Sequence, residues 1–411
     1  MLFQKLLQKV VHDGNLRLID AKGKIYDCGN GHGPRCTLRI HSRRLEYKLV
    51  VNPPLYLAEA YMDGGITLEE GTLRHFMELL ARNYHYLENN KLVQFGFALA
   101  RHTRRLKQYN PVGKARQNVA HHYDLSGQLY DLFLDADRQY SCAYFRNGDE
   151  SLEQAQADKK LHLAAKLLFD KPDLKLLDIG SGWGGLGLYL AQAGNCEVTG
   201  VTLSTEQHKV SQERAKKAGM DERVTFHLRD YREDSNKYDR IVSVGMFEHV
   251  GKKNYREFFD KVRDLLADDG VFLLHSVGRV NEPGPVNPFI RKYIFPGTDV
   301  PTLGEVLPVI EDAMLTVTDV EVLRLHYAET LRNWEERFQA NREKIAALYD
   351  ERFCRMWEAY LIGCEMGFRH QGLMVFQIQI AKKIDAVPLT RDYIYEWEHK
   401  RAGDEASQAA E

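Results

Sequence analysis

The sequence predicts an α/β protein with a smaller α+β domain at its N-terminus. From Leu174 onward, short apolar runs typical of buried strands alternate with helical patterns, which indicates a mostly parallel sheet with helices on both faces. Before residue 90, strand-like runs precede the helical patterns instead of alternating with them. A basic stretch containing Asn110-Pro111-Val112-Gly113 separates the two regions. We therefore predict an N-terminal domain over residues 1–95, a basic linker over 96–118, a second domain over 119–390 and a polar tail over 391–411.

The N-terminal region opens with an amphipathic helix. Its apolar residues fall on one helical face, namely Leu2, Phe3, Leu6, Leu7 and Val10. Lys5 and Lys9 interrupt the run, which excludes the uncharged core of a signal peptide. We predict that this helix docks on its own domain, and a helix lying on a membrane surface is the alternative. Further along, strands are predicted at Leu16–Ile19, Thr37–Ile40 and Lys48–Val51, and helices at Pro54–Tyr61 and Leu68–Leu87.

The second region contains five strand patterns in succession. They are Leu174–Ile179, Glu197–Leu203, Val224–Asp230, Asp239–Val244 and Val271–Val277. The first predicted helix between them ends at Ala193, and two later ones span Glu206–Ala218 and Tyr255–Leu266. The proline-rich stretch Arg279–Val309 is expected to form an irregular lid or substrate wall. Two more strands, Val320–Leu325 and Leu373–Lys383, flank a long helical stretch, and the chain is expected to fray from Arg401.

Composition narrows the class of protein. Hydrophobic residues make up 44% and charged residues 28% of the 411 residues, which excludes disorder of the bulk of the chain. The net charge of −2 hides an asymmetry, because residues 1–120 carry 19 Lys/Arg and 10 Asp/Glu, a net +9, and the remainder carries −11. Such a basic module is typical of contact with a polyanion or an anionic membrane. No apolar run approaches the roughly 18 residues of a membrane-spanning helix.

The cysteines and histidines give no metal-binding pattern. The six cysteines are scattered without a CxxC pair, so we predict reduced thiols and neither disulfides nor a zinc site. His121 and His122 are adjacent, but no third ligand follows at a suitable spacing, and we predict no metal.

A glycine-rich turn follows the strand that ends at Ile179. Glycines at 180, 182, 184 and 185 allow the close backbone approach that a bound nucleotide requires. The spacing is GxGxG, and Thr202 and Leu203 occupy the position where NAD-binding folds place a ribose-binding carboxylate. These features disfavour a dinucleotide and favour S-adenosylmethionine. Asp230 and Tyr231 end a neighbouring strand, and we interpret them as adenine contacts; a loop acid and a packed aromatic ring are the alternative.

Longer motifs make the sequence similar to the cyclopropane-fatty-acyl-phospholipid synthases and the related mycolic acid methyltransferases. The resemblance spans about residues 115–385 and is highly specific because several motifs occur together in order. The motifs are NVAHHYDLSGQLYDLFLD (Asn118–Asp135), YSCAYF (Tyr140–Phe145), LDIGSGWGG (Leu177–Gly185), GVTLSTEQ (Gly200–Gln207), MFEHVG (Met246–Gly251), LHSVG (Leu274–Gly278) and HYAETLRNW (His326–Trp334). EAYMDGGITLE (Glu59–Glu69) also resembles the extra N-terminal domain of the bacterial phospholipid enzymes, which the shorter mycolic acid enzymes lack.

This resemblance implies a class I S-adenosylmethionine-dependent methyltransferase fold, which is Rossmann-like with a mostly parallel seven-stranded sheet. It also implies that the N-terminal domain serves lipid binding and dimerisation. The implied cofactor contacts are Tyr140, Ser141, Gly180, Ser181, Gly182, Gly184, Thr202, Leu203, Gln207 and Tyr231. The implied ligands of a bicarbonate ion beside the reacting carbon are Cys142, Glu248, His275, the backbone of Val277, and Tyr327. Cys364 matches a cysteine regarded in this family as an active-site residue.

The implied chemistry is methyl transfer to an alkene followed by ring closure. A cis alkene is a poor nucleophile, so positioning in a dry pocket carries much of the catalytic task. Aromatic faces are expected to stabilise the cation that forms on the acyl chain, and the candidates are Tyr140, Tyr144, Phe145 and Phe247. Bicarbonate is expected to be the small base, and Glu248 to accept its proton and orient it.

Taken singly, the implied catalytic residues have ordinary structural explanations. His275 lies in an apolar strand as core histidines do, Cys142 is typical of a buried thiol, and Tyr327 could pack in the core. Glu248 follows a strand of the parallel sheet at its carboxyl end and could be a solvated loop acid. Only the motifs that contain these residues favour a functional role.

The resemblance therefore implies an enzyme that transfers a methylene group from S-adenosylmethionine across the cis double bond of acyl chains in membrane phospholipids. It implies a cytoplasmic homodimer in peripheral contact with the anionic inner face of the cell membrane, and no nucleic-acid partner. One alternative is a related methyltransferase that gives a methyl-branched or methylene acyl product, or an N-methylated amine, without ring closure. A non-catalytic lipid carrier is another alternative, and the intact glycine loop disfavours it.

Overall fold

The computed structural model describes residues 2–88, 126–280 and 283–410, with side chains through residue 401. These residues divide into two compact units that do not follow chain order. The first takes its residues from Met1–Arg104, Gly284–Pro296 and Leu331–Leu373, and the second from Arg105–Pro283, Gly297–Thr330 and Met374–Glu411. Residues 284–296 and 331–373 thus differ from the predicted linear division, which assigned them to the second domain. The predicted linker at 96–118 lies outside the described residues.

The strands and helices of the described residues are numbered in chain order. The strands are β1 (Asn15–Ile19), β2 (Ile25–Cys28), β3 (Arg35–Ile40), β4 (Ile66–Glu70), β5 (Lys175–Ile179), β6 (Glu197–Thr202), β7 (Val224–Leu228), β8 (Tyr238–Val244), β9 (Leu266–Arg279), β10 (Thr316–Leu323) and β11 (Leu373–Ala381). The helices are α1 (Leu2–Val10), α2 (Arg43–Val51), α3 (Pro53–Met62), α4 (Leu73–Arg82), α5 (Tyr84–Glu88), α6 (Gly127–Asp131), α7 (Leu152–Leu167), α8 (Gly185–Ala193), α9 (Thr205–Lys217), α10 (Tyr255–Leu265), α11 (Leu303–Asp312), α12 (His326–Ala340), α13 (Arg342–Leu348), α14 (Glu351–His370) and α15 (Asp392–Ala410). None of the helices within these described ranges is long and apolar enough to cross a membrane.

The first unit contains a small mixed sheet. Its strands are hydrogen-bonded in the order β2-β1-β3-β4, with β1 parallel to β3 and the other two pairs antiparallel. Helix α1 buries Phe3, Leu7 and Val10, so the prediction that it docks on its own domain is confirmed.

Two sequence predictions for the first unit are wrong. Lys48–Val51 is the end of helix α2, because an apolar run of four residues does not by itself distinguish strand from helix. The helix predicted at Leu68–Leu87 begins instead as strand β4, which pairs with β3, and α4 begins only after the left-handed Gly71. Thr72 caps α4 by accepting a hydrogen bond from the His75 N–H.

The second unit is built on a larger, mostly parallel sheet. Within the described residues it has seven strands in the order β10-β11-β9-β8-β5-β6-β7. The pairs β5–β6, β5–β8, β6–β7 and β8–β9 are parallel, and β10–β11 is antiparallel. Alternate residues of β5 and of the position just before it join separate apolar clusters, as expected for a sheet covered on both faces. Leu177 and Ile179 belong to one cluster, and Leu174 and Leu176 belong to the other. The predicted α/β class and seven-stranded sheet are confirmed.

Two segments of the second unit are more regular than predicted. The stretch expected to be irregular contains the start of α11, which a capping box of Thr302 and Glu305 stabilises. The tail expected to fray is part of α15, which runs to Ala410 and buries Ile394 and Glu398.

An ion cluster joins three helices of the first unit. The Arg74 guanidinium on α4 donates to Glu335 on α12 at 2.7 Å and to Glu365 on α14 at 2.5 Å. The Glu335 and Glu365 side chains are only 10% and 2% exposed, so this ion pairing compensates carboxylates that have lost most of their hydration.

We expect Arg74→Met to lower the unfolding temperature strongly, because it leaves the Glu335 carboxylate buried without this ion pair, at a cost of about 3 kcal/mol. Thermal unfolding followed by circular dichroism measures the effect. Arg17→Met is the matched control, because its partner Asp27 is 65% exposed and such pairs contribute little. Equal losses in the two variants would contradict the assignment.

Candidate active site

A cavity lies at the carboxyl edge of the large sheet. It is lined by the last residues of β5, β6 and β8, by the residues that follow β7, and by the segment 138–141. This is the edge where ligands bind in open α/β sheets, at the point between β5 and β8 where the strand order reverses. The lining contains ten of the eleven predicted cofactor contacts, namely Tyr140, Ser141, Gly180, Ser181, Gly182, Thr202, Leu203, Gln207, Asp230 and Tyr231.

The glycines of the turn have different tasks. Gly180 and Gly182 line the cavity with φ angles of +87° and +53°, in the left-handed region that favours glycine. A Cβ on Gly182 would meet no atom of the described residues within 4 Å, so its backbone stands open beside the cavity. Gly184, predicted to contact the cofactor, does not line the cavity. A Cβ there would lie 2.7 Å from the Ser211 Cβ and 2.9 Å from the Phe226 Cζ, so it is a packing position at the start of α8.

Four buried polar atoms of cavity-lining residues have no hydrogen-bond partner within the described residues. They are Asp178 Oδ2, Ser181 Oγ, Trp183 Nε1 and Arg229 Nε, and the first two belong to the strand end and the glycine turn. Burial raises the pKa of Asp178 to about 7. Because an unpaired buried polar group costs free energy, these atoms mark the wall as a place for a ligand with its own hydrogen-bonding groups. Asp178 lies within the LDIGSGWGG motif but is not among the predicted site residues. A carboxylate in an otherwise apolar strand could have indicated a ligand contact.

Side chains of helix α7 hold the segment 139–141 in place by hydrogen bonds. Lys159 Nζ donates to Gln139 Oε1 at 2.6 Å and to Ser141 Oγ at 2.8 Å. Gln156 Nε2 donates to the Ser141 carbonyl at 3.0 Å. Lys159 is fully buried, and burial lowers its pKa to about 8. Lys159 was not predicted as a site residue, because a lysine within a helical pattern gives no sign of burial.

Other predicted cofactor contacts are fixed by neighbouring side chains. Thr202 Oγ1 donates to Gln207 Oε1 at 3.0 Å, which links the end of β6 to the first turn of α9. The Asp230 carboxylate accepts two hydrogen bonds from the Arg232 guanidinium at 2.9 and 2.8 Å, so it lines the cavity already paired.

Two of the predicted catalytic groups meet at the end of β9, and a third lies on the same strand. Glu248 Oε1 accepts a hydrogen bond from the Val277 N–H at 2.6 Å, and His275 lies two residues earlier on the same strand. Glu248 Oε2 is buried without a partner in the described residues, and burial raises the Glu248 pKa to about 7. Burial lowers the His275 pKa to about 3. The Val277 N–H, expected to contact bicarbonate, is thus engaged by Glu248.

Cys142 and Tyr327 lie on segments that hydrogen bonds connect. The Ala143 N–H donates to Thr330 Oγ1 on α12 at 3.0 Å, and the Phe145 N–H donates to His326 Nδ1 at 3.0 Å. Tyr327, half-buried, is the second residue of α12. Cys142 is 1% exposed, and burial raises the pKa of its thiol well above the usual range.

Two of the predicted catalytic residues, Cys142 and Glu248, are chain neighbours of residues that line the cavity. Ser141 lines the cavity and Cys142 follows it, while Met246 and His249 line it and Glu248 stands between them. The charge of Lys159 opposes the burial that raises the pKa values of Cys142 and Asp178 and adds to the burial that lowers the His275 pKa, so all three groups lie within electrostatic reach of this buried ammonium.

The packing of two aromatic residues bears on the prediction that their ring faces stabilise a cation on the acyl chain. Phe247 is fully buried and its ring stacks on Tyr255 at 4.5 Å, so its faces are not available to a substrate. The Tyr144 ring stacks on His162 and His326, at 4.3 and 4.9 Å. Of the four aromatic residues predicted to face a cation, Tyr140 is the one that lines the cavity.

Cys364 belongs to the first unit. It lies on α14, and burial raises its pKa to about 12, so its thiol is uncharged at neutral pH. Its predicted place in the active site stays a prediction.

Comparison with known proteins identifies the family. Residues 112–378 match the sequence profile of the family described as mycolic acid cyclopropane synthetase. The chain belongs to the mycolic acid cyclopropane synthetase family. It is 37% identical to the cyclopropane-fatty-acyl-phospholipid synthase of Escherichia coli (strain K12) over 358 residues, which cover 87% of this chain and 90% of that protein.

Two further comparisons extend the family assignment. The tuberculostearic acid methyltransferase UfaA1 of Mycobacterium tuberculosis is 37% identical over 278 residues, 64% of each chain. The crystal structure of the mycolic acid cyclopropane synthase CmaA1 complexed with SAH and CTAB superposes with a TM-score of 0.62 at 34% identity, and covers 66% of this chain and 99% of that one. The predicted family and the class I S-adenosylmethionine-dependent methyltransferase fold are confirmed.

The buried Glu248 carboxyl predicts a pH-dependent stability. Its folded pKa of about 7 lies above the ordinary value of 4.5, so its contribution is complete below about pH 4.5 and is lost as the pH rises towards 7, by about 3 kcal/mol. We expect the unfolding temperature of Glu248→Gln to fall less than that of the wild type between about pH 5 and pH 8. The exposed Glu311→Gln is the control and should follow the wild type. Parallel curves for wild type and Glu248→Gln would mean that Glu248 is already ionised in the fold.

Proposed function

We propose that this protein is a cyclopropane-fatty-acyl-phospholipid synthase, which adds a methylene group from S-adenosylmethionine across the cis double bond of a phospholipid acyl chain. The observation that carries the proposal is that Glu248, Cys142 and His275 are all buried, with pKa values shifted towards their uncharged forms, and that Glu248 and Cys142 are chain neighbours of residues lining the glycine-turn cavity. A methyltransferase for a polar acceptor has no need of such a dry cluster, whereas a reaction through a cation on an alkene depends on it.

The cavity residues fit S-adenosylmethionine. Asp178 Oδ2 and Ser181 Oγ offer acceptors for hydroxyl or ammonium donors, and Gly182 leaves room for close approach to the backbone. When bound, this cofactor supplies an electrophilic methyl group. Tyr140 and Ser141 would position it from the wall that Lys159 holds, and Thr202 and Gln207 from the end of β6.

The buried side chains of Glu248, Cys142 and Lys159 suit a small monoanion such as bicarbonate. Glu248 and Cys142 have raised pKa values, so near neutral pH Cys142 remains a neutral thiol and a large fraction of Glu248 is a neutral carboxyl; in these forms both can donate hydrogen bonds to an anion. The buried Lys159 ammonium adds favourable potential. When bound, bicarbonate supplies the small base that ring closure requires. Glu248, with a pKa of about 7, is suited to take up and release a proton there.

The same burial protects a cationic acyl chain from side reactions. A protonated thiol at Cys142 and a protonated carboxyl at Glu248 are poor nucleophiles, so neither would trap the cation. Tyr140 offers its aromatic ring at the cavity wall. Exclusion of water then favours ring closure over addition of a hydroxyl group.

The main alternative to the proposed function differs in the product of the reaction. Similarity to the Escherichia coli synthase supports a ring product on phospholipids, and similarity to the tuberculostearic acid methyltransferase UfaA1 supports the alternative of a methyltransferase. Both alternatives use the same cavity, so product analysis decides between them.

Incubation of the protein with unsaturated phospholipid vesicles and S-adenosylmethionine should give acyl chains that gain one CH2 and no longer react as alkenes. Lipid mass spectrometry measures this. Glu248→Gln should lower kcat roughly 100-fold with little change in S-adenosylmethionine affinity, and Glu311→Gln should match the wild type. A methyl-branched or methylene product would favour the alternative methyltransferase, and absence of any transfer would favour a lipid carrier. Full activity of Glu248→Gln would refute the role of Glu248.

We further propose that the enzyme is cytoplasmic and works in peripheral contact with the inner face of the cell membrane. Helix α2 of the first unit exposes Arg43, Arg44 and Lys48 together with Tyr47 and Val51, which are 68% and 79% exposed. Cations interspersed with an aromatic and an aliphatic side chain suit anionic headgroups and the boundary of the acyl region. The predicted homodimer stays a prediction.

Reversal of the three α2 cations to Glu should weaken binding to anionic vesicles by at least roughly 100-fold, since the loss of each cation alone costs about 1 kcal/mol and the new carboxylates add repulsion. High salt should weaken binding of the wild type as well. Vesicle sedimentation measures both effects. Lys209, Lys216 and Lys217 are exposed on α9 of the second unit, and their reversal to Glu is a control with the same change in net charge. Equal losses in both triple variants would assign the effect to net charge and not to α2.

A further inference from the structure

A buried chain of hydrogen bonds leads to the His275 ring. Gln377 Nε2 on β11 lies 3.2 Å from His275 Nδ1, and Lys166 Nζ on α7 lies 2.8 Å from Gln377 Oε1. Lys166 and Gln377 have no exposed surface, and His275 is 2% exposed. Lys166 also pairs with Glu321, whose Oε2 lies 2.7 Å from His162 Nε2. All of these residues belong to the second unit.

The chemistry of these groups fixes the direction of each hydrogen bond. A lysine ammonium only donates, so the Gln377 oxygen must face Lys166. The Gln377 NH2 group then faces His275, and an amide NH2 also only donates. His275 Nδ1 must therefore accept, which excludes a proton on that nitrogen.

We infer that Lys166 and Gln377 hold His275 as the neutral tautomer with its ring proton on Nε2. The surroundings support a neutral ring, because burial first, and then the charges of Lys159, Lys166 and His162 against that of Glu321, lower the His275 pKa to about 3. A neutral imidazole has two tautomers that are close in energy in water, so a fixed donor at Nδ1 decides between them.

This inference deepens the proposed function and rests on it for its consequence. If His275 is a ligand of the anion, the Nε2–H is the form that can donate to it, and the other tautomer would present a lone pair. Lys166 and Gln377 are then positioning residues, since they act through His275 and not on the anion itself.

The tautomer can be observed directly. In protein labelled with [15N]histidine, two-bond 1H–15N correlation spectra distinguish protonated from unprotonated ring nitrogens, and comparison with His275→Gln assigns the signal. We expect His275 to show a protonated Nε2 and an unprotonated Nδ1 at neutral pH. A proton on Nδ1 would overturn the inference.

Gln377→Glu tests the relay with a nearly isosteric change. A carboxylate accepts from both neighbours, so His275 Nδ1 should become protonated and Nε2 should lose its proton. We expect kcat to fall about 100-fold and the half-saturating bicarbonate concentration to rise, with S-adenosylmethionine KM nearly unchanged. An unchanged His275 signal in this variant would overturn the inference. If the buried carboxylate prevents folding, Gln377→Leu serves, and there His275 should become a mixture of tautomers.

Gln379→Glu is the matched control. Gln379 is two residues along β11, is 2% exposed, and donates to the Lys166 carbonyl and the Tyr393 hydroxyl, so it shares the burial without facing His275. Its His275 signal should stay as in the wild type, and a change there would overturn the assignment to Gln377. Turnover by His275→Gln tests the proposed function separately, because full activity would remove the catalytic role of His275 and leave the tautomer result standing.

Discussion

The buried ammonium of Lys159 is the constraint on which the arrangement of the candidate site depends. Its hydrogen bonds go to the uncharged oxygens of Gln139 and Ser141, so the chain around it must keep those acceptors in place. This need fixes the cavity wall at residues 139–141 against helix α7. The same charge lowers the pKa values of Asp178 and Cys142, but burial outweighs it for both groups. The cation thus acts on two acids whose pKa values burial keeps raised, which is a setting that accepts an anion.

Much of the larger sheet could be predicted from the sequence, because its strands are apolar runs that turns and glycines delimit. Buried parallel strands leave this signal since both of their faces are covered. The smaller sheet was harder. Strand β2 (Ile25–Cys28) was missed and Lys48–Val51 was assigned to a strand, because short half-buried segments give patterns that fit either structure. The contribution of residues 331–373 to the first unit was also missed, since Arg74, Glu335 and Glu365 carry no sequence signal of their ion pairing.

The candidate site likewise contains residues that the sequence predicts and residues that it does not. The glycine turn, Tyr140, Ser141, Thr202 and Gln207 could be placed from motifs, since backbone geometry at a strand end requires particular residue types. Lys159, Lys166 and Gln377 could not, because their importance lies in burial, and burial of a polar residue depends on partners far away in sequence. Gly184 and Phe247 show the converse, since each lies within a recognised motif and yet serves packing. A sequence motif thus predicts where a site lies, but the packing around each residue is needed to determine its role.

Burial in this site has a cost that its chemistry explains. Glu248 and Asp178 would be more stable as solvated carboxylates, and raising their pKa values to about 7 removes stability from the fold at neutral pH. Cores ordinarily replace such groups with apolar side chains. Glu248 instead stands beside the Val277 N–H with its second oxygen unpaired in the described residues, a state that packing alone does not require. A carboxyl that gains and loses a proton near neutral pH, in a dry wall without strong nucleophiles, is what deprotonation of a carbocation demands. The destabilising burial of Glu248 is therefore accounted for by the proposed catalytic role and not by packing.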